Sequence, residues 1–337
     1  MACKKLRAIL CALATTTVST LSVPAFAAGS TGDVPDIGKV SQPKIKSSAA
    51  LVIDLDSNSV LFERDADVVR PIASISKIFG ALVVTEDCKL DPEALHEMSR
   101  ANRDAARGGD KTKLTTGWSY SHKDLLHAAL MRSDNRALPA LAEACGMDPA
   151  TLAAKMTERA HKMGLTKTAF KEPDGLSAEN VSTAREVMVA LKEAIKNQAL
   201  TEIMAKPDYV IVARKGDRAR DIKIKNTDRL LSRNIAQILG GKTGYTDIAR
   251  YCLAVAARTF EGRQLGMVFL GAEGRHTRFA DFARVIKWLT SSEAIAAEAN
   301  KVDEKRSGPT APAVTPAVTP AGHAVPSKSV EAENEEE

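Results

Sequence analysis

Three short clusters in this chain hold residue types that can do covalent chemistry. In Ser74-Ile75-Ser76-Lys77 a hydroxyl and an amine stand three residues apart, a spacing that puts both on one face of a helix. A lysine amine whose charged form is disfavoured can take the proton from such a hydroxyl and make it a nucleophile. Ser133-Asp134-Asn135 presents a second hydroxyl and an amide on what reads as a break between two helices. There Ser133 can relay a proton and Asn135 can hold a peptide-like substrate. Lys242-Thr243-Gly244 follows Gly240-Gly241. Glycine lets another backbone approach closely, and a cation beside a hydroxyl can bind a carboxylate. Each cluster also has an ordinary alternative. Ser41-Gln42-Pro43-Lys44 matches the first pattern inside a Pro-containing linker, and Ser232-Arg233-Asn234 matches the second. Either pattern can be a helix cap, and the third can be a turn before a strand. Metal chemistry is not expected: His96-Glu97 lacks the second histidine of a zinc motif, and His122 and His127 stand five apart, off one helical face.

The elements that must position these residues can be read from periodicity. Residues 49–55 and 59–63 read as strands around the turn Asp56-Ser57-Asn58. Residues 74–87 read as a helix following Pro71. Residues 124–131 and 136–145 are helical around a break, as are 149–163 and 183–196. Residues 209–213 and 222–225 form a basic hairpin. Residues 251–257 and 265–271 are strands around the turn Glu261-Gly262-Arg263, and 279–289 closes the domain as a helix. Strands at both ends with helices between them predict an α+β sandwich, its antiparallel sheet completed by the first and last segments.

Charge and composition narrow the function classes. The chain of 337 residues has 47 Lys+Arg against 42 Asp+Glu, a formal +5, and 44% apolar residues. That apolar fraction excludes a wholly disordered chain. Lys4, Lys5 and Arg7 belong to a leader, and subtracting these three charges leaves +2 for residues 28–337. No basic run interleaves with aromatics, so nucleic acid is not an expected partner. The leader itself has a basic start, an apolar stretch at 9–14 and the small-x-small triplet Ala25-Phe26-Ala27. It reads as a signal peptide, residues 1–27, cleaved before Ala28. Its apolar run falls short of the ~20 residues that span a bilayer, so no membrane anchor is expected and the mature protein is placed in an extracytoplasmic space. Residues 28–48 read as a linker and 49–292 as one enzyme-sized domain. Residues 301–337, with five prolines and an acidic finish, read as a disordered tail. Cys88, Cys145 and Cys252 remain after cleavage. One disulfide is permitted there, and small core residues are equally in keeping.

Taken together, the order of the three clusters, with 59 residues from Ser74 to Ser133 and 109 from Ser133 to Lys242, resembles the S-x-x-K, S-D-N and K-T-G signature of the penicillin-recognising serine enzymes. The likeness extends to Pro71-Ile72-Ala73, to the stretch 126–135, to Glu172-Pro173-Asp174-Gly175-Leu176-Ser177 with Asn180 and Ser182-Thr183-Ala184, and to Tyr245-Thr246. These are similar to the serine-type D-alanyl-D-alanine carboxypeptidase and endopeptidase family, the low-molecular-mass penicillin-binding proteins. The endopeptidase branch without a second β-domain is the nearest in likeness, over roughly 49–289. The resemblance implies the β-lactamase and penicillin-binding-protein fold, an antiparallel sheet flanked by helices with a helical subdomain. It implies peptidoglycan stem peptides as substrates, β-lactams as covalent inhibitors, no cofactor and a periplasmic location.

The resemblance also implies roles. Ser74 attacks a D-Ala carbonyl, and Lys77 is its base, with a pKa lowered by the neighbouring charge of Lys242. Ser133 passes a proton to the leaving amine, and Asn135 holds the substrate amide and orients Lys77. Lys242, Thr243, Gly244 and Tyr245 line the substrate, and the backbone N–H groups of Ser74 and Tyr245 receive the oxyanion. Thr243 and Arg278 bind a substrate carboxylate; a surface arginine at a helix start is the alternative for Arg278. Three positions depart from the family: Asp65 where Asn is usual, Arg250 where Gly is usual, and Asp134 where this branch often has Glu. Two other functions stay open. A class A-like β-lactamase needs a glutamate-activated water, for which Glu172 is the candidate, although its loop lacks the Glu-x-x-Leu-Asn form. A non-catalytic peptidoglycan-binding protein could keep the fold. The hairpin cations Arg214, Lys215, Arg218, Arg220, Lys223 and Lys225 could lean on anionic wall polymer, but a solvated hairpin is the favoured reading.

Overall fold

The computed structural model describes residues 42–106 and 112–306. Its frame is a five-stranded antiparallel sheet made from the two ends of the described chain. β1 (Ala49–Asp54) and β2 (Val60–Arg64) form the first hairpin. The last three strands, β9 (Gln237–Thr246), β10 (Arg250–Arg258) and β11 (Gln264–Ala272), close the sheet, whose order is β2-β1-β11-β10-β9. All six residues of β1 are buried, as an apolar strand flanked by neighbours on both edges requires. The short β3 (Arg70–Pro71) leads into a tight turn at Ala73–Ile75 and then α1 (Ser76–Leu82), which a wider turn prolongs through Val83–Asp87. Every residue of α1 is buried, the polar Ser76 and Lys77 along with Ile78, Phe79 and Leu82, so it runs through the middle of the molecule.

The helical part follows. β4 (Leu95–Glu97) and β5 (Ser119–Ser121) flank α2 (Arg100–Ala105), whose start is fixed by a reciprocal cap between Ser99 and Asn102. α3 (His122–His127) is extended to Arg132 and ends at Ser133, where the chain turns into α4 (Ala137–Ala144). α5 (Pro149–Lys162) begins with an Asp148 cap and a proline in its first turn. β6 (Val181–Ser182) pairs with β3. Thr183 caps α6 (Ala184–Lys196) and Asn197 caps α7 (Gln198–Met204). α1, α4 and α5 pack on one another, and a disulfide joins Cys88 at the far end of the α1 rod to Cys145 at the end of α4.

β7 (Asp208–Lys215) and β8 (Arg218–Lys225) are the basic hairpin. Ile211, Ala213 and Ile224 bury one face of it, while Arg218 and Arg220 lie over the Trp118 ring. The chain then returns as β9 (Gln237–Thr246), β10 (Arg250–Arg258) and β11 (Gln264–Ala272). β10 and β11 are buried at almost every position, not at alternate ones, which requires cover on both faces. α6 packs on β11, β10 and β1, and α8 (Thr277–Arg306) packs on β10 and β11.

Three differences from the sequence reading have physical causes. Residues 237–246 carry no strand pattern in the sequence because Gly240, Gly241 and Gly244 erase it; pairing with β10 overrides that weakness. Residues 42–48 are not a free linker at their end. Ile45 and Ser47 are buried, and the Lys46 and Ser47 amides donate to the Asp281 carboxylate at 2.9 and 2.8 Å. The last helix runs to Arg306, so the first six residues of the segment expected to be unstructured are helical. The signal peptide, residues 28–41 of the linker and residues 307–337 of the tail lie outside the described residues. Two of the departures from the family pattern fall at left-handed backbone positions, Asp65 at φ 45° and Arg250 at φ 57°. Asn and Gly are the residues that enter that region at least cost.

Candidate active site

Ser74 stands at the entry to α1, directly after Ala73, which is held at φ 49°. Two glycines make that turn possible. A Cβ on Gly175 (φ 82°) would lie 2.0 Å from the Ala73 carbonyl oxygen, and one on Gly244 would lie 3.0 Å from the Ser74 nitrogen. The loop 172–177 and strand β9 therefore press against the start of α1 from two sides. One turn into the helix, Lys77 is wholly buried. Its Nζ lies 3.2 Å from Ser74 Oγ, 2.7 Å from Asn135 Oδ1 and 2.5 Å from the Asp174 carbonyl oxygen. A neutral amine has two N–H donors and one lone pair. With Nζ donating to Asn135 and to Asp174, the lone pair of the neutral form takes the Ser74 proton once that hydroxyl, which donates to the Asp174 carbonyl at 3.2 Å, turns toward it.

Ser133 occupies the break between α3 and α4 in a left-handed conformation, φ 62° and ψ 33°. Asp134, the middle residue of that motif, turns away from the amine. Its carboxylate accepts from Thr112 Oγ1 at 2.5 and 2.6 Å, from the Lys113 amide at 2.8 Å and from the Arg136 amide at 3.1 Å. It is the clamp that shapes the break and so aims Asn135. β9 supplies the opposite wall. Lys242 is buried, its Nζ donating to the Thr243 carbonyl at 2.8 Å. Thr243 Oγ1 meets Thr227 Oγ1 at 2.6 Å, and Thr227 in turn donates its amide to Met131 O at 2.9 Å. β9 is thereby tied to the end of α3. Tyr245 is half-exposed beyond it, stacked on Tyr251 at 4.2 Å.

Arg278 is placed differently from a free carboxylate clamp. It is buried at the start of α8, and its Nη1 donates to Gly244 O at 2.6 Å and to Cys252 O at 2.9 Å. Its Nε has no hydrogen-bond partner among the described residues. The structure thus brings Ser74, Lys77 and Asn135 into contact and seats Gly244 on the Ser74 nitrogen. Arg278 braces the backbone behind β9.

Burial sets the electrostatics. It holds the Lys77 amine below its ordinary range, against the opposing pull of the Asp174, Glu172 and Asp134 carboxylates. The charge of Lys242 was the expected cause; removal from water is the actual one. Lys242 lies well below the ordinary lysine range, through burial first and then the charges of Lys77 and Arg278. Burial also raises the Asp228 carboxyl to about 6. Asp228 packs beside Gly241, where a Cβ would meet its Oδ2 at 3.2 Å.

Sequence reasoning did not place Asp174 or Asp228 in the site. The only signal for Asp174 was its membership in the Glu172-Pro173-Asp174-Gly175-Leu176-Ser177 segment. That loop is internally locked. Glu172 accepts from the Asp174, Leu176 and Ser177 amides at 2.6, 2.7 and 3.1 Å. Asn180 accepts from the Lys171 amide and donates to Ser76 Oγ and Glu172 O. Glu172 is a loop clasp, its oxygens taken up by amides.

Comparison with known proteins agrees with this geometry. Residues 37–274 match the model of the D-alanyl-D-alanine carboxypeptidase family, peptidase S11. A D-alanyl-D-alanine endopeptidase of Pseudomonas aeruginosa is 32% identical over 276 residues, covering 82% of this chain and 87% of the relative. One of Escherichia coli is 30% identical, covering 85% of this chain and 90% of the relative. Among solved structures, the Streptomyces K15 DD-transpeptidase superposes with a TM-score of 0.70 at 25% identity, covering 74% of this chain and 98% of that one.

Proposed function

The chain belongs to the D-alanyl-D-alanine carboxypeptidase family and is a serine-type peptidase of that kind, and on that premise we propose that Ser74 is the acylated nucleophile of a periplasmic DD-endopeptidase acting on peptidoglycan cross-links. The observation that carries this reading is the buried Lys77 amine, 3.2 Å from Ser74 Oγ. Lys77 takes the Ser74 proton as Oγ attacks the D-Ala carbonyl carbon. The oxyanion forms beside the backbone N–H groups of Ser74 and Tyr245, where fixed dipoles need no reorganisation. Ser133 hands its proton to the leaving amine as the C–N bond breaks and an ester forms on Ser74, and protonated Lys77 returns a proton to Ser133, so that the amine is again a free base. Water then attacks the ester, giving its proton back to Ser74 through Lys77 and releasing the acid. Asn135 holds the substrate amide, and Lys242 and Thr243 face its far side.

Two endopeptidase relatives that match more than four-fifths of the chain support cleavage of cross-links over trimming of terminal D-Ala. The Cys88–Cys145 disulfide supports an oxidising, exported location. Against the β-lactamase alternative stands the geometry of its candidate group: both Glu172 oxygens accept from amides of their own loop. Fluorescent penicillin should label the wild-type protein and leave Ser74→Ala unlabelled at unchanged melting temperature. Labelling that persists in Ser74→Ala sinks the nucleophile assignment. Digestion of purified cross-linked muropeptides should yield monomers, and release of free D-Ala alone would make the protein a carboxypeptidase.

A further inference from the structure

Asp174 lies outside all three motifs, yet no other described residue touches the Lys77 amine more closely. Its backbone carbonyl accepts from Lys77 Nζ at 2.5 Å and from Ser74 Oγ at 3.2 Å. Its carboxylate Oδ1 stands 3.6 Å from the same Nζ, with side chains 1% and 0% exposed respectively. That oxygen has no hydrogen-bond partner among the described residues. The other charged groups that face the amine are engaged elsewhere or lie across the site. On the same loop, Glu172 is bound by three amides. At the break before α4, Asp134 is bound by Thr112 and two amides. On β9 Lys242 donates to its own neighbour's carbonyl, and at the start of α8 Arg278 is bound to two carbonyls. Asp228, beyond Gly241, caps the Leu230 amide.

We propose that Asp174 is a positioning residue for acylation, holding the Lys77 amine against Ser74 and sharing one proton with it. Two buried groups this close titrate as a unit. Burial raises the Asp174 carboxyl to about 8, while the Lys77 charge opposes that rise. The sign of the effect on Lys77 is fixed by electrostatics. Whenever Asp174 is ionised it favours the protonated amine, and when it is neutral it exerts little pull. A neutral isostere can therefore only lower the pH at which Lys77 becomes a free base. The Lys77 proton sets the acid side of the acylation profile, so that side moves with it.

The inference rests on the Ser74 and Lys77 assignment above, and its test keeps the two apart. The acylation rate constant for benzylpenicillin is measured against pH in wild-type protein and in Asp174→Asn. The acid limb should shift downward in the variant by about one pH unit or more, within the 1–3 units an opposite charge at this range produces. An unmoved limb, or a uniform loss of rate at every pH, overturns the proposal and leaves Asp174 a loop residue. Absence of acylation in wild-type protein overturns the nucleophile assignment instead. If Asp174→Asn does not fold, the carboxyl carbons of labelled aspartates are followed by NMR in wild-type protein. One resonance should titrate far above the ordinary range and move when Ser74 is acylated. If no such acylation-sensitive resonance exists, the proposal fails.

Discussion

Arg278 shows how one side chain can carry more than its residue type announces. Its guanidinium spends Nη1 on the Gly244 and Cys252 carbonyls and lies near the Tyr251 and Phe279 rings, at 5.2 and 4.9 Å. Burial lowers its pKa to about 10, still charged at neutral pH, so a cation is retained behind the strand that lines the site. Arg278→Ala leaves two carbonyls without their donor and removes that cation. It should cost about 1.5–3 kcal/mol of stability. It should also lower kcat/KM on peptides ending in an acid roughly tenfold more than on matched amides. Equal losses on both would reduce Arg278 to a brace for β9 alone.

At the scale of elements, the site is an agreement among four pieces: the start of α1, the break before α4, the loop 172–177 and β9. β9 makes its approach to the start of α1 through Gly244. A Cβ there would stand 3.0 Å from Ala73 Cβ, Ile72 O and Ser74 N, and two of those three atoms are backbone that cannot swing aside. Gly244→Ala should push β9 off α1 by a fraction of an ångström. Catalysis is more sensitive to such a displacement than folding is. Acylation by penicillin should fall about ten- to a hundredfold while the melting temperature drops only a few degrees. A variant that acylates at the wild-type rate would show that β9 has slack at this point. The same agreement explains why Ala73 and Ser133 tolerate left-handed backbone: the surrounding contacts over-determine both turns.

Across the whole molecule, the two ends of the domain are tied through Asp281. Its buried carboxylate accepts from the Lys46 and Ser47 amides and from Ser47 Oγ at 2.6 Å, more than 230 positions away, and pairs with Arg284 at 2.5 Å. The tie holds the approach to β1 beside α8, and β1 in turn closes the sheet onto β11. Asp281→Ala strands two amides and a hydroxyl that water cannot easily reach. About 3 kcal/mol should be lost in urea unfolding, with the penicillin reaction of the surviving folded protein unchanged. A loss below 1 kcal/mol would mean that the N-terminal approach is not held by this contact.

The catalytic core was legible in the sequence for a local reason. Ser74 and Lys77 are one helical turn apart, so their contact follows from the backbone period alone, and Asn135 and Lys242 could be named from motif order. The strands 49–55, 251–257 and 265–271 and the helix breaks were legible because apolar periodicity survives without partners. Asp174 against Lys77 and Asp281 against Ser47 join positions 97 and 234 apart, and no spacing rule reaches that far. The Cys88–Cys145 pairing and the strand character of the glycine-rich 237–246 likewise waited on the fold. The cause of the Lys77 shift was assigned to a neighbouring charge, when it is burial. Residue type and local period determine which groups can react; their removal from water, and the company they keep there, arise only when distant segments pack together.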